Sequence, residues 1–136
     1  MKVTLERKND AYWFQGTGKT PVPVNIDNGD HGASPMELLL MAVGGCSAVD
    51  IVSILTKQKQ EISNYSMEVM GERKEVAQAK PFKAMHVNIF LEGKIIPLKA
   101  KKAADLSFQK YCSVSLTLEP QVPITYGIFV NGVKIE

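Results

Sequence analysis

Apolar and polar positions alternate along the first part of the chain with the period of β-strands: Val3 and Leu5, then Tyr12 and Phe14, then Val22, Val24 and Ile26. Asn9-Asp10 supplies turn formers for the first connection and Gly16-Thr17-Gly18 for the second, and residues 27–32 read as a loop. The period then changes. Ser34 stands where an N-cap belongs, Pro35 takes the first helical position, and Glu37 completes a capping box, so the spacing predicts a helix from about Pro35 to Lys57. Two strand-like stretches follow, Tyr65 to Arg73 and Phe82 to Leu91, joined by a charged connection through Lys80-Pro81. Gly93 to Pro97 reads as a turn and Leu98 to about Lys110 as a second, amphipathic helix. Ser113 to Leu118 stays open between a short helix and a strand. Ile124 to Val130 is a strand, closed by an Asn131-Gly132 turn. With no repeat, low-complexity tract or linker, residues 1–136 are expected to form one domain.

The first helix is unusual because it is apolar on almost every side. Leu38, Leu39, Leu40, Met41, Val43, Val49, Ile51, Val52, Ile54 and Leu55 cover nearly its whole circumference, whereas a surface helix buries one stripe. So short a chain can hardly enclose it alone, which points to a homodimer. The run approaches membrane-spanning length, but Asp50 and the lack of basic flanks argue for a buried helix and no membrane partner. Its polar residues Ser47, Asp50 and Ser53 share one stripe with Cys46. Buried polar groups need partners, so the stripe is either a satisfied network or the border of a small site holding the thiol. Gly44-Gly45 invites close approach by another element.

Composition narrows the chemistry. The net charge of +2 is spread among interspersed acids and bases, which gives no reason to expect a nucleic-acid partner. Lysine dominates the positives; Arg7 and Arg73 are the only arginines. The amino terminus has no secretory pattern, so the expected compartment is the cytoplasm, where thiols stay reduced. Cys46 and Cys112 are the only cysteines and form no CxxC unit. Brought together by the fold they are a redox pair; apart, they are two buried hydrophobes. His31 and His86 match no zinc spacing, so neither metal nor other cofactor is expected. Tyr12-Trp13-Phe14 reads first as strand packing and second as an apolar entrance, and Tyr111 as a ring over the Cys112 region.

The stretch from Ser34 to Leu55, with Cys46 inside it, and the segment Tyr111-Cys112-Ser113-Val114-Ser115-Leu116 resemble the OsmC/Ohr family of thiol peroxidases. The order of elements is similar over essentially the whole chain. The resemblance implies an α+β fold with antiparallel sheets packed on a long buried central helix plus a second helix. It also implies an intertwined homodimer with two sites at the subunit interface. Carried over residue by residue, Cys46 is the peroxidatic thiol and Cys112 the resolving one. A hydroperoxide is then the substrate, and a dithiol, such as a lipoylated protein, the reductant. Family members are similar in using an early-loop arginine held by a glutamate directly after the proline. Here that position is Met36, and Glu37 falls about half a turn from Cys46 around the helix, where capping explains it. Candidates to activate or line the thiol site are Arg7, Arg73, Lys8, Asp50 and Ser47, the cations from either subunit. The alternatives are a non-catalytic dimer holding a small apolar ligand, and a thiol redox sensor.

Overall fold

The alternating segments at the start of the chain form a three-stranded antiparallel sheet: β1 (Thr4–Arg7), β2 (Phe14–Thr17) and β3 (Val24–Ile26), in that order. The computed structural model describes residues Met1–Glu136, which divide into two compact units, Met1–Leu39 and Leu40–Glu136. In the first unit the strands are shorter than the pattern suggests. Tyr12 and Val22 lie outside them and exposed, while Gly16, expected in a turn, sits within β2 opposite Leu5. The Asn9 side chain closes the first turn by accepting from the amides of Ala11 and Trp13 at 3.0 and 3.2 Å. After β3, the Asp27 carboxylate gathers the loop, accepting from the Asn28 amide at 2.7 Å and pairing with His31 Nδ1 at 2.7 Å. The Trp13 ring stacks flat on His31 with centroids 4.0 Å apart. The His31 ring, then the Asn28 amide, holds the Asp27 carboxyl below its ordinary value.

The predicted capping box forms. Glu37 N–H donates to Ser34 Oγ at 3.2 Å, and Ser34 N–H donates back to Glu37 Oε1 at 2.9 Å. Helix α1 then runs over Pro35–Lys57, as the sequence predicts.

The second unit contains most of α1 followed by β4 (Glu61–Arg73), β5 (Phe82–Lys94), α2 (Pro97–Leu106), α3 (Ser113–Leu118), β6 (Ile124–Val130) and β7 (Val133–Ile135). The sheet order is β4-β5-β6-β7. Its outer pairs are antiparallel, but β5 and β6 run parallel, so this sheet is mixed rather than wholly antiparallel. The cause is the connection: α2 and α3 lie between the two strands and return the chain to its starting end, as a parallel pair requires. Alternate residues of β5, Met85, Val87, Ile89 and Leu91, form the core with Ile128 and Val130 of β6 and Ala100, Ala103 and Phe108. The second helix is shorter than expected. It ends at Leu106 and gives way to a π-helical turn over Ser107–Tyr111, closed by Cys112 N–H donating to Ser107 O at 2.7 Å.

As expected of so short a chain, α1 is not enclosed on every side. Val43, Gly44, Ser47, Ile51 and Leu55 form one buried stripe. Gly44 lets the helix sit close on β4, since a Cβ there meets Met67 Sδ at 2.8 Å and Val69 Cγ2 at 3.0 Å. The opposite stripe is equally apolar yet bare within the chain: Met41 is 57% exposed, Val49 68% and Val52 40%, and a Cβ on Gly45 meets nothing within 4 Å. A single chain supplies only enough structure to cover one side.

Candidate active site

Two elements of the second unit bring the only thiols together. Cys46 lies in the middle of α1, half-buried, and Cys112 lies wholly buried between the π-helical turn and α3. No disulfide joins them, but they lie near one another, close enough for Cys46 to push the Cys112 thiol up. Burial pushes the Cys112 thiol up, two donors from Ser115 pull it down, and Cys46 adds a further upward push. Both Ser115 donors reach Cys112 Sγ, the hydroxyl at 3.0 Å and the amide at 3.4 Å. Cys112 is thereby the N-cap of α3, its sulfur taking the part usually played by a serine or aspartate oxygen. Ser113–Leu118, left open by the sequence, is thus a short helix with a capped first turn rather than a strand.

The polar stripe of α1 divides its labour. Ser47 is fully buried and its hydroxyl donates back to Gly44 O at 3.0 Å, so it is satisfied inside its own helix. Asp50 reaches outward to the π-helical turn, where Ser107 Oγ donates to its Oδ2 at 2.9 Å. Ser107 therefore holds both ends of the arrangement: its hydroxyl binds the carboxylate one turn beyond Cys46, and its carbonyl binds the Cys112 amide. Ser53 points with Asp50 into an open cleft of about 580 Å³, also lined by Ile54, Lys57, Gln58, Leu106 and Tyr111. Gln58 Oε1 is buried without a partner there.

The sequence's candidate cations have other bonds. Arg7, in the first unit, donates from Nε to Ala11 O at 3.1 Å and from Nη2 to Asp10 O at 2.7 Å. Arg73, at the end of β4, donates from Nε to Lys80 O at 2.8 Å, across its own hairpin. Lys8 lies 3.6 Å from Glu6. The bonded partner of Asp50 is thus a neutral hydroxyl rather than a cation. Glu37 remains in the cap, where the Ser34 amide, then its hydroxyl, keeps the carboxyl below its ordinary value. His86 lies on the outer sheet face, engaged by Thr125 and Asn88. Sequence reasoning missed Ser107 and Ser115. The second has a local signal, a hydroxyl three residues after a helix-capping position; the first has none, because its partner is distant in the chain.

The chain has relatives in sequence and in fold. The family model described as OsmC-like protein matches residues 27–127. Protein YhfA of Escherichia coli K12 is 43% identical over 102 residues, which cover 74% of this chain and 75% of YhfA. The crystal structure of a hypothetical protein from Aquifex aeolicus VF5 superimposes with a TM-score of 0.82 at 29% identity, covering 96% of each chain. The organic hydroperoxide resistance protein OhrB of Bacillus subtilis shares the fold, with a TM-score of 0.63 at 18% identity over 94% of this chain and 96% of OhrB. With the model matched across residues 27–127 and YhfA so similar in sequence, the chain belongs to the OsmC-like protein family.

Proposed function

We propose that the protein is a cysteine-based hydroperoxide reductase. The observation that carries this reading is the unequal pairing of its only thiols, a half-buried Cys46 reachable from outside and a wholly buried Cys112 behind it. The Cys46 thiolate attacks the distal oxygen of a hydroperoxide, the O–O bond breaks, and the alkoxide leaves and takes a proton. Cys46 becomes a sulfenic acid. The Cys112 sulfur then displaces its hydroxyl as water, giving a Cys46–Cys112 disulfide. A dithiol returns both cysteines to thiols and is itself oxidised, and a lipoylated protein fits that role. The apolar helix around Cys46 favours organic hydroperoxides. The name of OhrB, organic hydroperoxide resistance, agrees with that substrate class.

The working form is a homodimer in the cytoplasm. The bare stripe of Met41, Gly45, Val49 and Val52 is the surface that a second copy covers, with Gly45 letting the two helices approach. Arg7, Arg73, Asp50 and Ser47 remain the candidates to set the environment of Cys46, and in the dimer a cation from the partner can complete it.

Turnover of cumene hydroperoxide with dithiothreitol tests the reading. Cys46→Ser abolishes it, and Cys112→Ser leaves a Cys46 that passes to sulfinic acid. Retained turnover in the Cys46 variant sinks the mechanism. A redox sensor is the second reading, favoured by the guanidinium groups of Arg7 and Arg73 being bonded to loop carbonyls. It predicts the same disulfide without rapid cycling.

A further inference from the structure

We infer that Ser115 positions Cys112 as the leaving sulfur when a dithiol reopens the Cys46–Cys112 disulfide, so that the reductant attacks Cys46. This rests on the peroxidase reading only in requiring that the two cysteines form that disulfide.

The first observation is an unusual use of a buried hydroxyl. Serine and threonine within helices commonly bond a carbonyl one turn back. Thr117 of α3 does so, to Ser113 O at 2.7 Å, and Ser47 of α1 bonds Gly44 O at 3.0 Å. Ser115, fully buried in the same helix as Thr117, instead gives its proton to Cys112 Sγ at 3.0 Å. A neutral thiol is a weak acceptor, but a thiolate is a strong one, and hydrogen bonds to ionised groups are roughly twice as strong. The Ser115 amide adds a second donor to the same sulfur at 3.4 Å. Without them, a thiolate released at a site of 0% exposure lacks any compensation for lost water.

The second observation is access. Cys112 is closed to solvent, whereas Cys46 is half-buried, so Cys46 is the more accessible of the two to an incoming thiolate. Exchange is faster when the departing sulfur is less basic; burial raises the Cys112 thiol and the two Ser115 donors offset part of that rise, so removing them makes Cys112 a poorer leaving group. The step balances as follows. One dithiol thiolate attacks Cys46 Sγ, the Cys46–Cys112 bond breaks, and Cys112 leaves with the electron pair to rest on the Ser115 donors before taking a proton. The second thiol of the reductant, once deprotonated, attacks the mixed disulfide, closes a cyclic disulfide and releases Cys46 as thiolate.

Diamide is used to make the disulfide, with loss of two hydrogens read by intact mass, so no peroxide enters the test. Oxidised wild type exposed to glutathione and quenched with iodoacetamide carries the adduct on Cys46 and the alkyl group on Cys112. Ser115→Ala, with the wild-type melting temperature and Cys46 alkylation rate, is reduced by dithiothreitol roughly tenfold more slowly. Its pH–rate profile shifts, and Ser115→Thr restores both rate and profile. A glutathione adduct on Cys112 overturns the inference, as does an unchanged rate and profile in Ser115→Ala. Failure of diamide to form the disulfide overturns it together with the peroxidase reading. Slow reaction with peroxide beside normal, Ser115-dependent reduction overturns the peroxidase reading alone.

Discussion

Replacing Val49 with aspartate separates the two faces of α1. Val49 is 68% exposed and shares its bare stripe with Gly45 and Val52, so the substitution breaks no packing within the chain. In a twofold homodimer built on this stripe it occurs twice. Fully burying a valine is worth about 1.5–3 kcal/mol, so covering the exposed share of Val49 contributes about 1–2 kcal/mol per copy. Losing both contributions raises the dimer dissociation constant by about 30- to 1,000-fold, and two desolvated, unpaired carboxylates raise it further. Sedimentation velocity over a concentration series reads the change, and far-ultraviolet circular dichroism reads whether the monomer keeps its helices. Wild type is expected to sediment as a dimer and Val49→Asp as a folded monomer at the same concentration. A variant that dimerises as tightly as wild type refutes this assignment of the interface, and a monomeric wild type refutes the dimer itself.

Other perturbations probe the single chain. Ile51→Ala, on the buried stripe at 0% exposure, is expected to cost about 2–5 kcal/mol in denaturant unfolding at fixed protein concentration. Ser34→Ala removes the N-cap of α1 and is expected to cost about 1 kcal/mol by the same assay. The folded Glu37 carboxyl lies below its unfolded value, so the carboxylate contributes stability above the unfolded value and loses it as pH falls through the folded one. The stability gap between wild type and Glu37→Gln therefore closes in acid; a gap constant with pH contradicts the capping account. Ser107→Ala deprives Asp50 of its donor and is expected to cost about 1–2 kcal/mol, whereas Asp50→Asn keeps an acceptor for the hydroxyl and costs less.

What the sequence disclosed follows from which interactions are local. The bounds of α1 were readable because Ser34, Pro35 and Glu37 mark its start within one turn. The first four residues of β4 were not, because Glu61, Ser63 and Asn64 are polar and exposed and break the strand pattern. Strand β7, three residues beyond the Asn131-Gly132 turn, is too short to show a period. The parallel pairing of β5 with β6 is invisible to alternation, which reports which side a residue faces but not the direction of its neighbour. At the site the two thiols were visible as residue types within motifs. Their surroundings were not: Asp50 finds Ser107 only through the packing of α1 against the π-helical turn. The apolar circumference of α1 correctly signalled more surface than one chain covers, and the structure adds which stripe is left bare.

The most direct test of the central claim is a stopped-flow reaction of the reduced protein with cumene hydroperoxide and with hydrogen peroxide, quenched for intact mass and peptide mapping. Rapid loss of two hydrogens, faster with the organic peroxide and mapped to a Cys46–Cys112 link, is the predicted result. Oxidation no faster than that of free cysteine contradicts it.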